Sequence, residues 1–378
     1  METLATEYTV RRLRAEDAEG VVDCVRRVYG DSYIIHTELY HPEEIVALNE
    51  AGRLVSVVAL DDGGEIVGHY ALERPDPSFR IAESGEAMVL PQHQHHHLLE
   101  KMRLLLEEEA GRLGLTGIFG RTVTNHLFSQ KMVERFGERP CGVSLGRTPR
   151  TFRNMREALS QRMSVVFYFK YLGTVDAVRI HVPSRHHEMC RQIYEQFQVQ
   201  LDLATSQSVP ESGDFVVDHH AELKRANILV RRVGKDTVHQ VRTVHRELCR
   251  GQQVEVVYLE LPLTEPGTPE ACQALESEGF FFSGVAPLYF PEGDVLRLQF
   301  LNVDLDTSVL QIESPFARSL LAYVDQERQR SQGANDGRFL EMNSPAKADF
   351  CDPFRQLHVD RRAARKLAVM GGSGCRLR

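Results

Sequence analysis

Tryptophan is missing from this chain of 378 residues, and cysteine is sparse. Cys24, Cys141, Cys190, Cys249, Cys272, Cys351 and Cys375 are odd in number, scattered and never spaced as CxxC. That spacing argues against a disulfide framework or a zinc ribbon and fits reduced thiols. No run of about 18 apolar residues occurs, so no membrane-spanning helix is expected. Met1 to Thr9 lacks the basic-then-apolar layout of a secretory signal, and a cytoplasmic location is expected. Positive charge is in deficit: Lys and Arg number 45 against 53 Asp and Glu, a net charge of −8. A nucleic-acid role is not expected, because a basic face is needed to displace counterions from phosphate. Walker loop, Rossmann fingerprint and Ser-His-Asp order are all absent.

What is present is ordinary for a globular protein, with 42 % hydrophobic and 26 % charged residues, and 18 Phe with 11 Tyr compensating for the missing Trp. The length suggests two domains at about 100–200 residues each. A first unit opens with a strand (Tyr8 to Leu13) and a helix (Ala15 to Tyr29, with Val21, Val25 and Val28 at helical spacing). A short helix starts near Pro42. Strands Leu54 to Leu60 and Ile66 to Leu72 follow, joined by the turn Asp61-Asp62-Gly63-Gly64. A strand then ends at Met88-Val89-Leu90-Pro91, and the loop Gln92-His93-Gln94-His95-His96-His97 leads into a helix of roughly twenty residues. The face of that helix is marked by Leu98, Leu99, Met102, Leu105, Leu106 and Leu113. A strand reaches Thr124, Asn125 opens another helix, and strands near Cys141 to Leu145 and Val165 to Leu172 close the unit.

This order, from Glu83 to Gly137 above all, resembles the GNAT acyltransferase superfamily. In that family the loop after the fourth strand reads Arg or Gln, two free positions, Gly, one free position, then Gly or Ala. The unpaired N–H groups of the following helix there receive a pyrophosphate. Gln94 keeps the first position, while His97 and Leu99 replace the small residues. The resemblance implies an α/β (α+β) fold of tandem mixed sheets flanked by helices, with the fourth and fifth strands splayed beside Pro91. It also implies transfer of an acetyl group from acetyl-CoA to an unidentified amine. Ala87, Met88, Val89, Gln94, His95, His96, His97, Leu98, Leu99 and Asn125 are the implied cofactor-binding residues.

Amine acylation needs a base, a group to hold the thioester carbonyl, and an acid for the leaving thiolate. Glu83, eight residues before Pro91, stands where many relatives carry a glutamate, and it alternates with Gly85 and Ala87 on one strand face. It is either the base or a solvated strand-edge carboxylate. Glu86 points to the other face if the strand is unbroken. Relatives often carry a Tyr acid seven residues after the Asn; here Met132 stands there, and a thioether donates no proton. His126 is a substitute acid or a surface histidine at a helix start. Asn125 is either a contact for the pantetheine arm or a helix N-cap. The runs His93 to His97, His186-His187 and His219-His220 are not read as metal sites, because neighbouring loop residues point in different directions.

A second unit repeats the opening with a strand Val178 to Val182 and a helix Ser184 to Phe197. Strand Ala226 to Arg232, helix Thr237 to Arg250, strand Val254 to Leu261, helix Pro269 to Glu278 and strands Phe280 to Pro287 and Val295 to Leu301 follow. Phe136-Gly137 and Gly142-Val143 compare with Gly279-Phe280 and Gly284-Val285, a repeat in the order of elements. Leu261-Pro262-Leu263, Gly279 to Phe282 and Leu296 to Leu301 resemble GNAT segments fused to anti-sigma-type ATPases. Two sheets are therefore expected, in domains 1-172 and 173-328, the second without a cofactor loop, before a flexible tail 329-378. The expected partner is a small-molecule or protein amine acceptor. The alternative is a noncatalytic regulatory or interaction module, with a homodimer or signalling partner.

Overall fold

The computed structural model describes residues 7–31, 33, 36–74, 77–151, 159–205 and 208–333. Of the flexible tail expected over 329–378, residues 329–333 instead end a helix, and the rest, with its basic residues Arg361, Arg362, Arg365 and Lys366, lies outside the described residues. The first half runs β1 (Thr9–Arg12), α1 (Ala18–Tyr29), α2 (Pro42–Glu50), β2 (Leu54–Leu60), β3 (Ile66–Glu73) and β4 (Ile81–Val89). After these come α3 (Leu98–Arg112), β5 (Gly117–Val123), α4 (Phe128–Arg135), β6 (Arg139–Thr148) and β7 (Met163–Tyr171). Helix α3 forms because Leu98, Met102, Leu106 and Ala110 repeat at four-residue spacing, and all four are buried under the sheet. Each large apolar side chain so buried contributes about 1.5–3 kcal/mol.

The second half adds β8 (Ala177–Ile180), α5 (His187–Gln196), β9 (Gln200–Leu203), β10 (Asp214–His220), β11 (Arg225–Arg232) and α6 (Thr237–Arg250). It ends with β12 (Val256–Pro262), α7 (Thr268–Glu276), β13 (Phe281–Phe290), β14 (Gly293–Leu301) and α8 (Pro315–Gly333). The fold class is α/β, with helices flanking mixed sheets. The two expected sheets are in fact continuous: twelve strands run β1-β2-β3-β4-β5-β7-β6-β13-β14-β12-β11-β10, with β8-β9 as a separate parallel pair. The order β4-β5-β7-β6 in one half faces β13-β14-β12-β11 in the other, like an image reflected in the seam.

That seam is a backbone contact between glycines. Gly142 of β6 pairs with Gly284 of β13. A Cβ on Gly284 would come within 2.3 Å of Gly142 Cα, and Gly284 has φ of 140°, a conformation open to glycine almost alone. One hydrophobic cluster continues through the seam, from Phe119, Val143 and Phe167 to Phe282, Leu320 and Val324. A second cluster belongs to the first half alone and lies under α1 and α3. Helix α8 packs on both β6 and β13. The irregular segment that leads into it is stitched back to the first half by Gln130, whose amide donates to Gln311 O at 2.8 Å and whose Oε1 accepts from Glu313 N at 3.0 Å.

Among the described residues no helix is long and apolar enough to cross a membrane. Two elements differ from expectation at residues that matter below. The helix after β5 begins at Phe128 with Leu127 as N-cap, not at Asn125. The α3 helix stops at Arg112, leaving Leu113 outside it and 39 % exposed.

Candidate functional site

Strands β4 and β5 are parallel neighbours for only three residue pairs, Ile81–Gly117, Ala82–Ile118 and Glu83–Phe119. Past Glu83 they part, and a cleft of about 1050 Å³ opens between Ser84 to Val89 on one side and Arg121 and Val123 on the other. On its opposite edge β4 is bulged: His69 faces Met88 while Ala71 faces Gly85, so two residues of β3 span three of β4. Glu86 sits in the bulge with φ of 59°. The sequence expectation that Glu86 turns away from Glu83 assumed an unbroken strand; the bulge instead brings both carboxylates into the cleft wall. The one readable signal was Gly85, since a glycine inside a strand pattern marks such a defect.

Glu83 is ion-paired with the guanidinium of Arg121 directly across the gap. Glu83's carboxylate, the nearby Glu73 and Tyr289 hold that guanidinium firmly protonated against the cost of burial. Glu73, opposite Glu83 in the β3–β4 register, also lines the cleft. Burial, with Glu83, Glu86 and Glu38 nearby, pushes its carboxyl up to about 8, against the pull of His36. The His36 Nδ1 lies 3.2 Å from Glu38 Oε1 and 3.3 Å from Glu86 Oε1. Despite its burial, those carboxylates hold its imidazole charged well above the usual histidine range. Arg147, from the end of β6, forms part of the floor with Thr148, Met163 and Val165. Burial and the neighbouring guanidiniums of Arg225 and Arg121 lower its pKa well below the usual arginine range.

The loop after β4 keeps a glycine-type shape without glycine. Pro91–His93 form a single 3-10 turn, and His95 and His97 adopt φ of 72° and 56°. His97 is the N-cap of α3 in the left-handed region, where the resembling family places glycine. Its imidazole does not enter the space ahead of the helix. Nδ1 lies 2.6 Å from Glu100 Oε2, and Glu100 also pairs with Arg135 at 2.6 Å. His93 Nδ1 meets Tyr8 OH at 3.0 Å, and the His96 ring rests on Tyr8 with centroids 4.9 Å apart.

Of the residues singled out in the sequence, Glu83, Ala87, Met88, Val89, Gln94, His95, His97, Leu98, Leu99 and His126 all line this cleft. His96 and Asn125 are not among its lining residues; His96 turns to Tyr8 and Asn125 precedes the helix rather than capping it. The His126 imidazole is half-buried, and burial lowers its pKa. Met132 stands at the mouth with Ser129 and the 64 % exposed Phe128. Sequence reading does not reach His36, Glu73, Arg121 and Arg147: three come from elements outside the stretch that carries the resemblance, and Arg121, within it on β5, has no motif to mark it.

The second half closes the same arrangement. Strands β11 and β12 stay paired for five residue pairs, Arg225–Val256 to Leu229–Glu260. The turn before α6 is filled by backbone: a Cβ on Gly234 would meet Gly213 N at 2.1 Å, and Asp236 Oδ1 accepts from that same N–H at 2.7 Å.

No protein-family model and no curated protein matches this chain. Solved structures do match it in part. An acetyltransferase of the GNAT family from Staphylococcus aureus is 13 % identical, with 44 % of this chain and 100 % of that chain covered at a TM-score of 0.33. A GNAT superfamily phosphinothricin acetyltransferase from Sinorhizobium meliloti, solved with AcCoA, is 19 % identical over 44 % of this chain and 89 % of its own, at 0.34. A GNAT family N-acetyltransferase from Escherichia coli in complex with CoA is 16 % identical over 46 % and 86 %, at 0.32.

Proposed function

We propose that the chain is an acyl-CoA-dependent N-acyltransferase, with acetyl-CoA as donor and an amine as acceptor. The observation that carries this reading is the wedge between β4 and β5: six residues of β4 beyond Glu83 have no partner strand on that side, next to a carboxylate and a loop that leads into a helix N-terminus. A pantetheine arm is a slender, amide-bearing chain. The open edge Ala87 to Val89 offers it backbone groups, as a further strand would. Gln94, His95 and the first amides of α3 would face the phosphates, and the left-handed backbone at His97 leaves room that a right-handed one would fill.

Bound acyl-CoA supplies the activated acyl group. Glu83 takes the proton of the acceptor amine, directly or through water, and Arg121 orients that carboxylate from across the gap. His126, half-buried among the lining residues, would protonate the leaving thiolate. Its position at the cleft, rather than at the surface, supports that role over the surface reading.

A second reading is favoured by two features. Glu100 places a carboxylate in the first turn of α3, where it competes with an incoming phosphate, and Met132 offers no proton. These suit a noncatalytic module that keeps the fold. Calorimetric titration with acetyl-CoA, followed by mass-spectrometric detection of N-acetyl product from a panel of amines, separates the two. Binding with product formation supports the enzyme; absence of acetyl-CoA binding leaves the interaction module as the better account.

A further inference from the structure

Among the described residues, two sets bring three metal-ligating side chains together, each giving one atom within 4.8 Å of the others: His186, Cys272 and Glu276, and His36, Glu73 and Glu86. The first is saturated. His186 Nδ1 meets Tyr323 OH at 2.8 Å, its Nε2 meets Glu276 Oε1 at 3.0 Å, and Glu276 also accepts from Arg330 at 2.8 Å. Those bonds fasten α8 to α7 and engage both ring nitrogens of His186, so that imidazole has none free for an ion.

The second set is different in access and in bonding. All three of its residues line the cleft. The Glu86 side chain is 1 % exposed, yet neither of its oxygens accepts a well-aligned hydrogen bond. Its nearest cationic neighbour is His36 Nδ1 at 3.3 Å, the same nitrogen that faces Glu38 at 3.2 Å. That one N–H is shared between two carboxylates, so Glu86 receives at most part of a hydrogen bond. His69 Nδ1 stands 3.9 Å from the other Glu86 oxygen; that ring lies 3.3 Å from the Glu86 carbonyl through Nδ1 and 3.0 Å from Ser56 Oγ through Nε2. Arg121 is engaged by Glu83. Apart from that shared imidazolium no cation meets this buried carboxylate, and a metal ion taking the place of the imidazole proton would join all three side chains.

We propose that His36, Glu73 and Glu86 bind a divalent transition cation of the zinc or manganese class, reached through the cleft. One imidazole and two carboxylates form a donor set suited to such ions and too nitrogen-rich for calcium or magnesium. Ligand atoms about 2.0–2.2 Å from an ion stand roughly 3–3.6 Å apart, so a separation within 4.8 Å closes by small side-chain rotations. The bulge of β4 is what turns Glu86 inward, and His69 holds that bulge from behind, a positioning role of the kind metal sites use.

The test uses the chain of 378 residues, stripped with EDTA and titrated with zinc chloride and with manganese chloride by calorimetry. One ion per chain is expected, with a rise in the thermal midpoint as the ion is added. Glu86→Gln and Glu73→Gln should each weaken binding by about 100-fold or more while the metal-free proteins still unfold cooperatively. The exposed loop imidazoles are the competing ligands, so a His95→Ala/His96→Ala variant is measured beside them and should bind as the unmodified chain does. Absence of binding by either ion overturns the site, as does binding that survives Glu86→Gln and is lost with His95→Ala/His96→Ala. If Glu86→Gln does not fold, Glu73→Gln decides on the same criterion. No thioester enters these titrations, so their outcome is independent of acyl transfer.

Discussion

At the scale of single residues, chemistry and backbone geometry give opposite weights to two positions. Glu83 is the residue on which proton transfer turns, so Glu83→Gln should lower turnover by about 10²–10⁴-fold while leaving acetyl-CoA affinity nearly unchanged. Steady-state kinetics beside calorimetry checks this, and an unchanged rate in an active preparation removes Glu83 from the mechanism. His97 carries strain instead. A non-glycine residue in the left-handed region costs about 1–2 kcal/mol, whereas an exposed His–Glu contact such as His97–Glu100 is worth about 0.2–1 kcal/mol. His97→Gly should therefore raise the denaturation midpoint slightly; a clear fall would show that the imidazole contributes more than its exposed contact allows. Part of the cleft lining is legible at this scale: the family resemblance around Pro91 singles out Glu83, Gln94, His95 and His97, and its Asn125 position points to the neighbouring His126. Glu86 is not, because side-chain alternation is reliable only where the strand is regular, and a bulge inverts it. His36 and Glu73 carry no local signal at all; burial and neighbours give them their character.

At the scale of elements, the sequence is most readable where one face is uniformly apolar. Helix α6 matches its expected span, Thr237 to Arg250, because Val241, Val244 and Leu248 mark a clean stripe. Helix α8 was not foreseen. Its inward row, Ala317, Leu320 and Val324, continues into Glu327 and Ser331, both buried. Glu327 is buried only because Arg185 and Arg330 hold it at 2.8 Å and 2.7 Å, partners invisible to a periodicity argument. Strand β10 escaped for the opposite reason: at the sheet's edge, Asp214 to His220 is half-polar and reads as a loop. The joint between β6 and β13 was equally hidden, although both glycines were noted as a repeat. It gives a sharp expectation. Gly284→Ala forces a Cβ into Gly142 and Cys141 O, at 2.4 Å from the latter, and should cost about 2–5 kcal/mol in urea unfolding. A loss under about 1 kcal/mol would mean that the seam opens without consequence.

At the scale of the whole molecule, the hydrophobic cluster shared across the seam means that a local titration in one half is felt as global stability. His245 of α6 is 4 % exposed, with its ring centroid 4.8 Å from Phe280 and 4.3 Å from Phe300. Burial, aided by Arg246, pushes its pKa down to about 4. The unfolded chain, with an ordinary histidine pKa of about 6.5, then binds the proton more readily than the folded one. The stability present above pH of about 6.5 is therefore lost as pH falls toward 4, by up to about 3 kcal/mol. Urea midpoints across that window should show the loss, and His245→Leu should flatten it; an unchanged slope would assign the acid sensitivity elsewhere. The parallel ladders of the two halves have a further consequence. Three rungs join β4 to β5 and five join β11 to β12, so a single molecule holds both an unzipped and a zipped edition of one motif. A label that lands on β4 and spares β11 thus reports the open pair together with its loop, against an internal reference at identical concentration, pH and history.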